Sequence, residues 1–247
     1  MKYYKIIVVV LLAISGTDVK AQEGWRIGVE AGPLFSRTFF TDTVNDDYIK
    51  KYYTGYRVGA IVHWGRSEAT GFSLGAHLVN KGVRWQYALE GDTDSLLQVK
   101  QGTQFLEIPF CMVFKQDLGV TGFIRESFGI GGAIQFTQYD SSVTMSERSQ
   151  FTMFNQRSSS FNAFFRLGVE FGNRFDNGDL LTLGAHYQQG FGTVSNQGYY
   201  NADNNRRYFN TGFNGSYIAI TLGYHFNLSN IGGKEEFFTS TKPKYRF

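Results

Sequence analysis

Apolar and polar residues alternate one by one along several segments of the chain, and this alternation restricts the possible fold more than any other feature. In the segment 161–172 the odd positions hold Phe, Ala, Phe, Leu, Val and Phe, while the even positions hold Asn, Phe, Arg, Gly, Glu and Gly. Successive side chains of a β-strand point to opposite faces, so this segment predicts a strand with one apolar and one polar face. No long segment after residue 24 shows the apolar spacing of a helix, and we expect an all-β fold.

The same alternation predicts eight strands whose connections are short and long in turn. The short connections cover 65–70, 115–118 and 176–179, which are rich in turn-forming residues. Short turns at one end and long loops at the other are typical of outer-membrane barrels, and an even strand number places both termini on the periplasmic side. We therefore predict an eight-stranded antiparallel up-and-down transmembrane β-barrel of the outer-membrane type. The predicted strands lie near 24–38, 52–64, 71–87, 100–114, 119–137, 159–175, 180–193 and 214–227, and the long loops cover about 39–51, 88–99, 138–158 and 194–213.

The orientation of the alternation distinguishes a membrane barrel from a soluble one. A soluble barrel that carries a ligand turns its apolar face inward, whereas a transmembrane barrel needs an uncharged outer face. The apolar faces of the strands near 24–38, 52–64, 100–114 and 214–227 contain no charged residue. We therefore expect these faces to contact lipid and the charged side chains to point into the lumen.

The inward charges are expected to pair with one another. Glu30 should face Arg57, while Arg125 should meet Glu107 on one side and Glu170 on the other. An eight-stranded lumen is just wide enough to be filled by side chains, so such pairs predict a closed plug rather than a channel. The predicted interior charge network consists of Glu30, Arg57, Glu107, Arg125, Arg166 and Glu170.

Two residues interrupt the pattern. Pro109 lies inside a predicted strand, where it removes a ladder donor and favours a β-bulge. Glu126 shares its parity with Ile124, which would point its carboxylate at lipid. A bulge near 129–132 would instead switch the parity, or Arg125 and Glu126 would flank a local kink; the sequence leaves these alternatives open.

No combination of residues predicts catalysis, a metal site or a cofactor. The four histidines, His63, His77, His186 and His225, all fall on inward strand positions, and the strands of His63 and His225 are not neighbours. A metal site would need three such ligands to converge. The long loops contain no histidine that could activate their serines, so a membrane hydrolase or acyltransferase is not expected. We predict that the protein is not an enzyme and binds no cofactor.

The N-terminal segment has a composition of its own. Lysines precede the apolar run 6–14, and residues 19–21 (Val-Lys-Ala) present small residues to a signal peptidase. We expect residues 1–21 to be a signal peptide, because the run is too short to span a membrane as a helix. Losing three lysines and one aspartate lowers the formal charge from +3 to +1, so nothing indicates a nucleic-acid partner. Cys111 is the only cysteine, which excludes a disulfide framework.

The segment 105–110 (Phe-Leu-Glu-Ile-Pro-Phe) resembles a strand of the PorT-like outer-membrane β-barrel proteins of Bacteroidota. The glycine-rich opening strand at 24–33 and the closing Leu-Gly-Tyr-x-Phe strand at 222–226 are also similar to that family. The resemblance implies an outer-membrane barrel, and one member of the family is tied to type IX secretion and gliding machinery. It implies no catalytic residue.

Function is therefore predicted to reside in the long loops and the tail. Tyr, Asn and Arg side chains in the last long loop suit adaptable recognition of protein or glycan. We expect a barrel over 22–227 and a periplasmic tail over 228–247, acting as a non-enzymatic interaction or structural component of a secretion or envelope complex. The alternatives are a membrane-embedded lipid-modifying enzyme and a small-solute channel. The candidate external recognition residues are Tyr199, Tyr200, Arg206, Arg207 and Tyr208.

Overall fold

A computed structural model defines the barrel and parts of its long connections. The structure describes residues 24–37, 39–40, 48–65, 69–88, 96–144, 151–157, 160–201 and 206–228. Side chains are described for residues 25–36, 51–65, 69–86, 100–135, 160–194 and 213–228. The predicted signal peptide at 1–21 and the predicted tail beyond residue 228 lie outside the described residues.

Eight of the described strands form a closed antiparallel barrel, which confirms the predicted fold class. The ring order is β1-β12-β9-β8-β6-β5-β4-β3, and the first and last strands close it by pairing with each other. No helix among the described residues is long and apolar enough to cross a membrane. The strands are β1 Gly24–Arg37, β2 Phe39–Phe40, β3 Tyr48–Gly65, β4 Thr70–Ala88, β5 Leu96–Leu118, β6 Gly122–Thr144, β7 Phe151–Arg157, β8 Phe161–Arg174, β9 Leu180–Gly190, β10 Ser195–Asn201, β11 Arg206–Phe213 and β12 Tyr217–Asn227.

The remaining four strands form a separate sheet from the long connections, in the order β2-β11-β10-β7. β10 and β11 form an antiparallel hairpin with an irregularity between Tyr199 and Tyr200. The long connection predicted over 194–213 does lie between two barrel strands, β9 and β12, and it contains strands that the sequence did not predict. We call the four-stranded sheet the loop sheet, and the end of the barrel that carries it the loop rim; the opposite end, with the three short connections, is the short-turn rim.

Burial along the strands follows the predicted alternation. In β8 the outward Phe161 and Phe171 are 58% and 56% exposed, whereas the inward Arg166 and Glu170 are 3% and 5% exposed. A soluble barrel would show the reverse arrangement. The apolar outer wall and charged lumen are those of a transmembrane barrel.

Aromatic rings cover the outer wall close to the short-turn rim. Trp25 and Trp64 stack with their ring centroids 5.6 Å apart, and Phe72 continues the row 6.0 Å from Trp64. On β12, the strand next to β1, Tyr224 and Phe226 pack edge to face at 4.9 Å. Aromatic belts of this kind lie at the interfaces of transmembrane barrels.

The turn between β8 and β9 is fixed to the closing strand through Asp179. Its carboxylate accepts hydrogen bonds from the Asn227 backbone N–H and the Tyr224 hydroxyl, each over 2.8 Å. These bonds favour the ionised form and lower the pKa of Asp179 from its ordinary value of 3.8. Gly178 in the same turn has a φ of +81°, a conformation that glycine adopts without steric cost.

The turn between β5 and β6 lies further along the chain than expected. β5 continues to Leu118, and the turn occupies residues 119–121 rather than 115–118. Gly119 adopts a φ of +77° there. The strand is longer because Lys115 and Asp117 stay paired with Arg125 and Phe123 of β6. The ammonium group of Lys115 also lies over the ring of Phe123, 5.1 Å from its centroid.

Candidate functional site

The middle of the lumen contains a cluster of opposite charges around Glu30. One carboxylate oxygen of Glu30 lies 2.5 Å from Arg57 Nη2 and 2.6 Å from His77 Nε2, and Arg166 Nη2 lies 3.6 Å away. These side chains come from four different strands of the barrel. The expected contact between Glu30 and Arg57 is therefore present, and Arg166 approaches the same carboxylate from the opposite side of the lumen.

A second carboxylate, Glu170, binds Arg125 beside this cluster. Arg125 Nε donates to Glu170 Oε2 over 3.0 Å, and Arg125 Nη2 contacts the same oxygen. The Nη2 atom also lies 3.1 Å from Nε2 of His225. The structure thus brings Arg125 to Glu170, as expected from their adjacent strands.

Glu107 has different partners from those expected. Lys81 Nζ lies 2.5 Å from Glu107 Oε1, Gln188 donates to the same oxygen over 2.7 Å, and the Tyr217 hydroxyl donates to Oε2 over 2.6 Å. The expected pairing with Arg125 was wrong, because Arg125 lies nearer the short-turn rim, where its register partners on the two neighbouring strands are Lys115 and Glu170.

Sequence reasoning missed Lys81, Gln188 and Tyr217. The signal for Lys81 was available, since it shares the inward parity of His77 on β4 and is fully buried. Gln188 likewise shares the inward parity of His186 on β9. Tyr217 shares the inward parity of His225 on β12, but its hydroxyl is uncharged and the predicted network contained only charged side chains.

An apolar cluster occupies the lumen towards the loop rim. Beside the Lys81–Glu107 pair, the centroid of the Phe105 ring lies 4.5 Å from the ammonium group of Lys81. The inward faces of four barrel strands and two residues of the last long connection supply its members. The cluster consists of Val83, Phe105, Ala133, Phe164, Val194 and Phe213. Apolar side chains therefore close the lumen on one side of the polar column.

All four histidines point into the lumen, as the alternation predicted. The rings of His63 and His225 nevertheless meet, with centroids 5.0 Å apart, although β1 separates their strands. Gly28 lies between them on β1, and a Cβ added there would come within 2.2 Å of His225 Nδ1. Their strands are not neighbours, as the sequence predicted, and the missing side chain at Gly28 leaves space for the His225 ring over the intervening strand.

Glu30, Glu170 and His186 offer ligand atoms within 4.8 Å of one another, which is the spacing of a metal site. The two carboxylates already neutralise Arg57 and Arg125. A divalent cation would have to displace these guanidinium groups, which would then lie buried without a counter-charge. The donor set therefore does not fit a metal ion.

Glu126 remains on the outer face of β6. The pairing of β6 with β8 runs without interruption from Gly122 to Ile134, with Glu126 opposite Val169. The pairing of β6 with β5 does shift in register, but only nearer the loop rim, opposite residues 101–105 of β5. The suggested bulge near 129–132 is thus not present, and Glu126 keeps its outward parity with a relative exposure of 9%.

Pro109 interrupts the ladder between β4 and β5 without a bulge. Leu74 pairs with Phe110 and His77 with Glu107, so the register is the same on both sides of the missing pairs. The bulge expected at Pro109 was therefore wrong. The ring of Pro109 faces the lumen beside Gly75, whose missing side chain leaves room for it.

The candidate recognition residues lie on the loop-sheet hairpin. Tyr199 and Tyr200 belong to β10, and Arg206, Arg207 and Tyr208 belong to β11. Tyr199 pairs with Phe209 and Tyr200 with Arg207, so the backbone brings these positions side by side. Their side chains lie outside the described set, and their role remains a prediction.

Similarity to known proteins is found among solved structures. No family model and no curated protein matches the chain. Solved outer-membrane barrels are similar over most of their lengths. OprG of Pseudomonas aeruginosa is 14% identical with a TM-score of 0.49, over 85% of this chain and 99% of that one. Neisserial surface protein A is 9% identical with a TM-score of 0.44, over 82% and 96%. Ail of Yersinia pestis is 13% identical with a TM-score of 0.40, over 83% and 100%.

Proposed function

We propose that the protein is a non-enzymatic component of the bacterial outer membrane that works as an interaction or structural partner through its loop sheet. Both termini would lie on the periplasmic side and the loop sheet outside the cell. The observation that carries the proposal is the loop sheet itself, a four-stranded unit assembled from three long connections above the barrel. Strands hold a large surface in one conformation before binding, so association costs less conformational entropy than it would for free loops. A surface ordered in this way favours a defined partner.

The lumen supports this assignment because side chains cross it. Glu107 and Tyr217 join strands that are four places apart in a ring of eight, which places them on opposite walls. The apolar cluster closes the lumen beyond this contact. A water-filled path for solutes has little space in such an interior.

The histidines also support a non-enzymatic role. All four point into the lumen among the described residues, away from the lipid face where a lipid-modifying enzyme would meet its substrate. The sequence resemblance to PorT-like proteins of Bacteroidota would place the partner in a secretion or envelope complex. That identification remains a hypothesis.

Site-specific crosslinking tests the proposal. A photoreactive residue at Tyr200 or Tyr208 of the full-length protein should yield discrete crosslinked species in intact cells. The matched control places the same residue at Leu222, which is 59% exposed on the lipid face. Replacing 197–210 by a short turn should abolish the species while leaving a folded barrel. Equal crosslinking from all three positions, or none from the loop sheet, would contradict the proposal.

A further inference from the structure

We propose that the lumen binds one small monovalent anion, of the size of chloride, in a cavity beside Arg166. The cavity measures about 10 Å³, which is enough for one water molecule or one small ion. Its polar wall is formed by side chains from β3, β4, β5, β6 and β8. These are His63, Ser73, Cys111, Arg125, Ser127, Arg166 and Glu170.

The charges around the cavity do not balance. Around the cavity, three buried guanidinium groups, Arg57, Arg125 and Arg166, face two inward carboxylates, Glu30 and Glu170. The other buried charges lie outside this group: Lys81 pairs with Glu107, and Arg26 interacts with Asp179 towards the short-turn rim. Arg57 is matched by Glu30 and Arg125 by Glu170. Arg166 is left 3.6 Å from a carboxylate that already has two closer partners. A buried charge without a counter-charge is strongly unfavourable. The charged side chains around the cavity therefore lack one negative charge.

Hydrogen-bond donors at the cavity also lack acceptors. Arg166 Nε has no acceptor among the described residues, and neither ring nitrogen of His63 has a partner there. Both side chains line the cavity, with the hydroxyl groups of Ser73 and Ser127. A spherical anion accepts hydrogen bonds from any direction, so one ion would satisfy donors that arrive from different strands.

The size and charge of the cavity restrict the ligand. One excess positive charge matches one monovalent anion, and the volume excludes phosphate, sulfate and carboxylate ligands. Glu170 also borders the cavity, but its charge is already engaged by Arg125. Two other occupants are conceivable: a neutral water molecule, or no ligand if the Cys111 thiol ionises and supplies the charge itself.

Refolding under defined salts distinguishes these occupants. The full-length barrel is refolded into detergent with sodium chloride, sodium bromide or sodium gluconate at equal ionic strength. Chloride and bromide should stabilise the fold in a saturable way, lowering the unfolding equilibrium constant about 100-fold at a halide concentration 100 times the dissociation constant. Crystals grown from bromide should show an anomalous scattering peak in the cavity.

Two variants provide the matched comparison. Arg166→Met removes the excess charge, so its stability should no longer depend on halide. Cys111→Ser removes the thiol and keeps the cavity polar, so its halide dependence should be retained. Identical unfolding in chloride and gluconate together with an empty cavity in bromide would overturn the proposal, and so would loss of the halide dependence in Cys111→Ser. The bromide peak in the unsubstituted protein tests the site even if Arg166→Met fails to fold.

Discussion

The Tyr217 hydroxyl donates a hydrogen bond to Glu107 Oε2 over 2.6 Å, and the two residues stand on opposite walls of the barrel. The same carboxylate binds Lys81 and Gln188 through its other oxygen. One side chain thus connects four strands across the lumen. Because each donor comes from a different strand, loss of this carboxylate should remove contacts between all four strands and destabilise the barrel.

Replacing Glu107 by leucine tests this connection. The variant leaves the Lys81 ammonium buried without a counter-charge, and we expect the free energy of unfolding to fall by about 3–5 kcal/mol. Urea unfolding followed by the gel mobility of the folded and unfolded forms measures the change. The control is the double variant Lys81→Met with Glu107→Leu, which removes both charges and should recover most of the loss. Equal losses in the single and double variants would argue against a paired network.

Gly28 allows the rings of His63 and His225 to meet. Gly28→Ala should destabilise the barrel by about 1–3 kcal/mol, because the new methyl group would overlap the His225 ring. Adding His225→Ala should relieve the overlap, as measured by thermal unfolding in detergent. Gly32→Ala is the comparison, since its Cβ would meet the backbone oxygen of Ile220 at 1.8 Å, and trimming a side chain cannot relieve that contact.

Asp179 should make the stability of the barrel depend on acid pH. Its pKa is lowered by the Asn227 and Tyr224 hydrogen bonds, so the stabilisation is fully present above the ordinary pKa of 3.8 and is lost as pH falls through the lower folded value. Unfolding by urea at pH 5 and pH 3 should therefore differ more for the native protein than for Asp179→Asn. The same acid sensitivity in both proteins would assign it to other groups.

The three tryptophans report which face of the wall meets lipid. Trp25 is 52% exposed on the outer face and stacks on Trp64, whereas Trp85 is fully buried and faces the lumen. In liposomes of brominated lipid, a variant that retains only Trp25 should lose most of its fluorescence. A variant that retains only Trp85 should be quenched far less. The opposite result would mean that the barrel does not sit in the membrane as described.

The fold could be predicted from the sequence because lipid contact imposes alternation on every barrel strand. The parity of Arg166 and Glu170 alone identified the inner face of β8. Partner choice inside the lumen was less predictable. Inward side chains extend past the neighbouring strands, so Glu107 contacts Tyr217 on the opposite wall. The direction of each inward side chain also depends on where glycines leave space in the lumen. The hairpin β10–β11 was missed because its polar residues show little apolar alternation.

The loop sheet has a consequence for assembly that follows from where its strands lie in the chain. β2 comes directly after β1, and β11 comes shortly before β12, so the pairing of Phe39 with Gly212 continues the junction between the first and last barrel strands. This contact joins segments from nearly opposite ends of the barrel sequence, so forming it carries the loop-closure cost of a non-local contact. The loop sheet therefore extends this junction beyond the barrel through Phe39 and Gly212, and the segment 197–210 of the hairpin is not part of it.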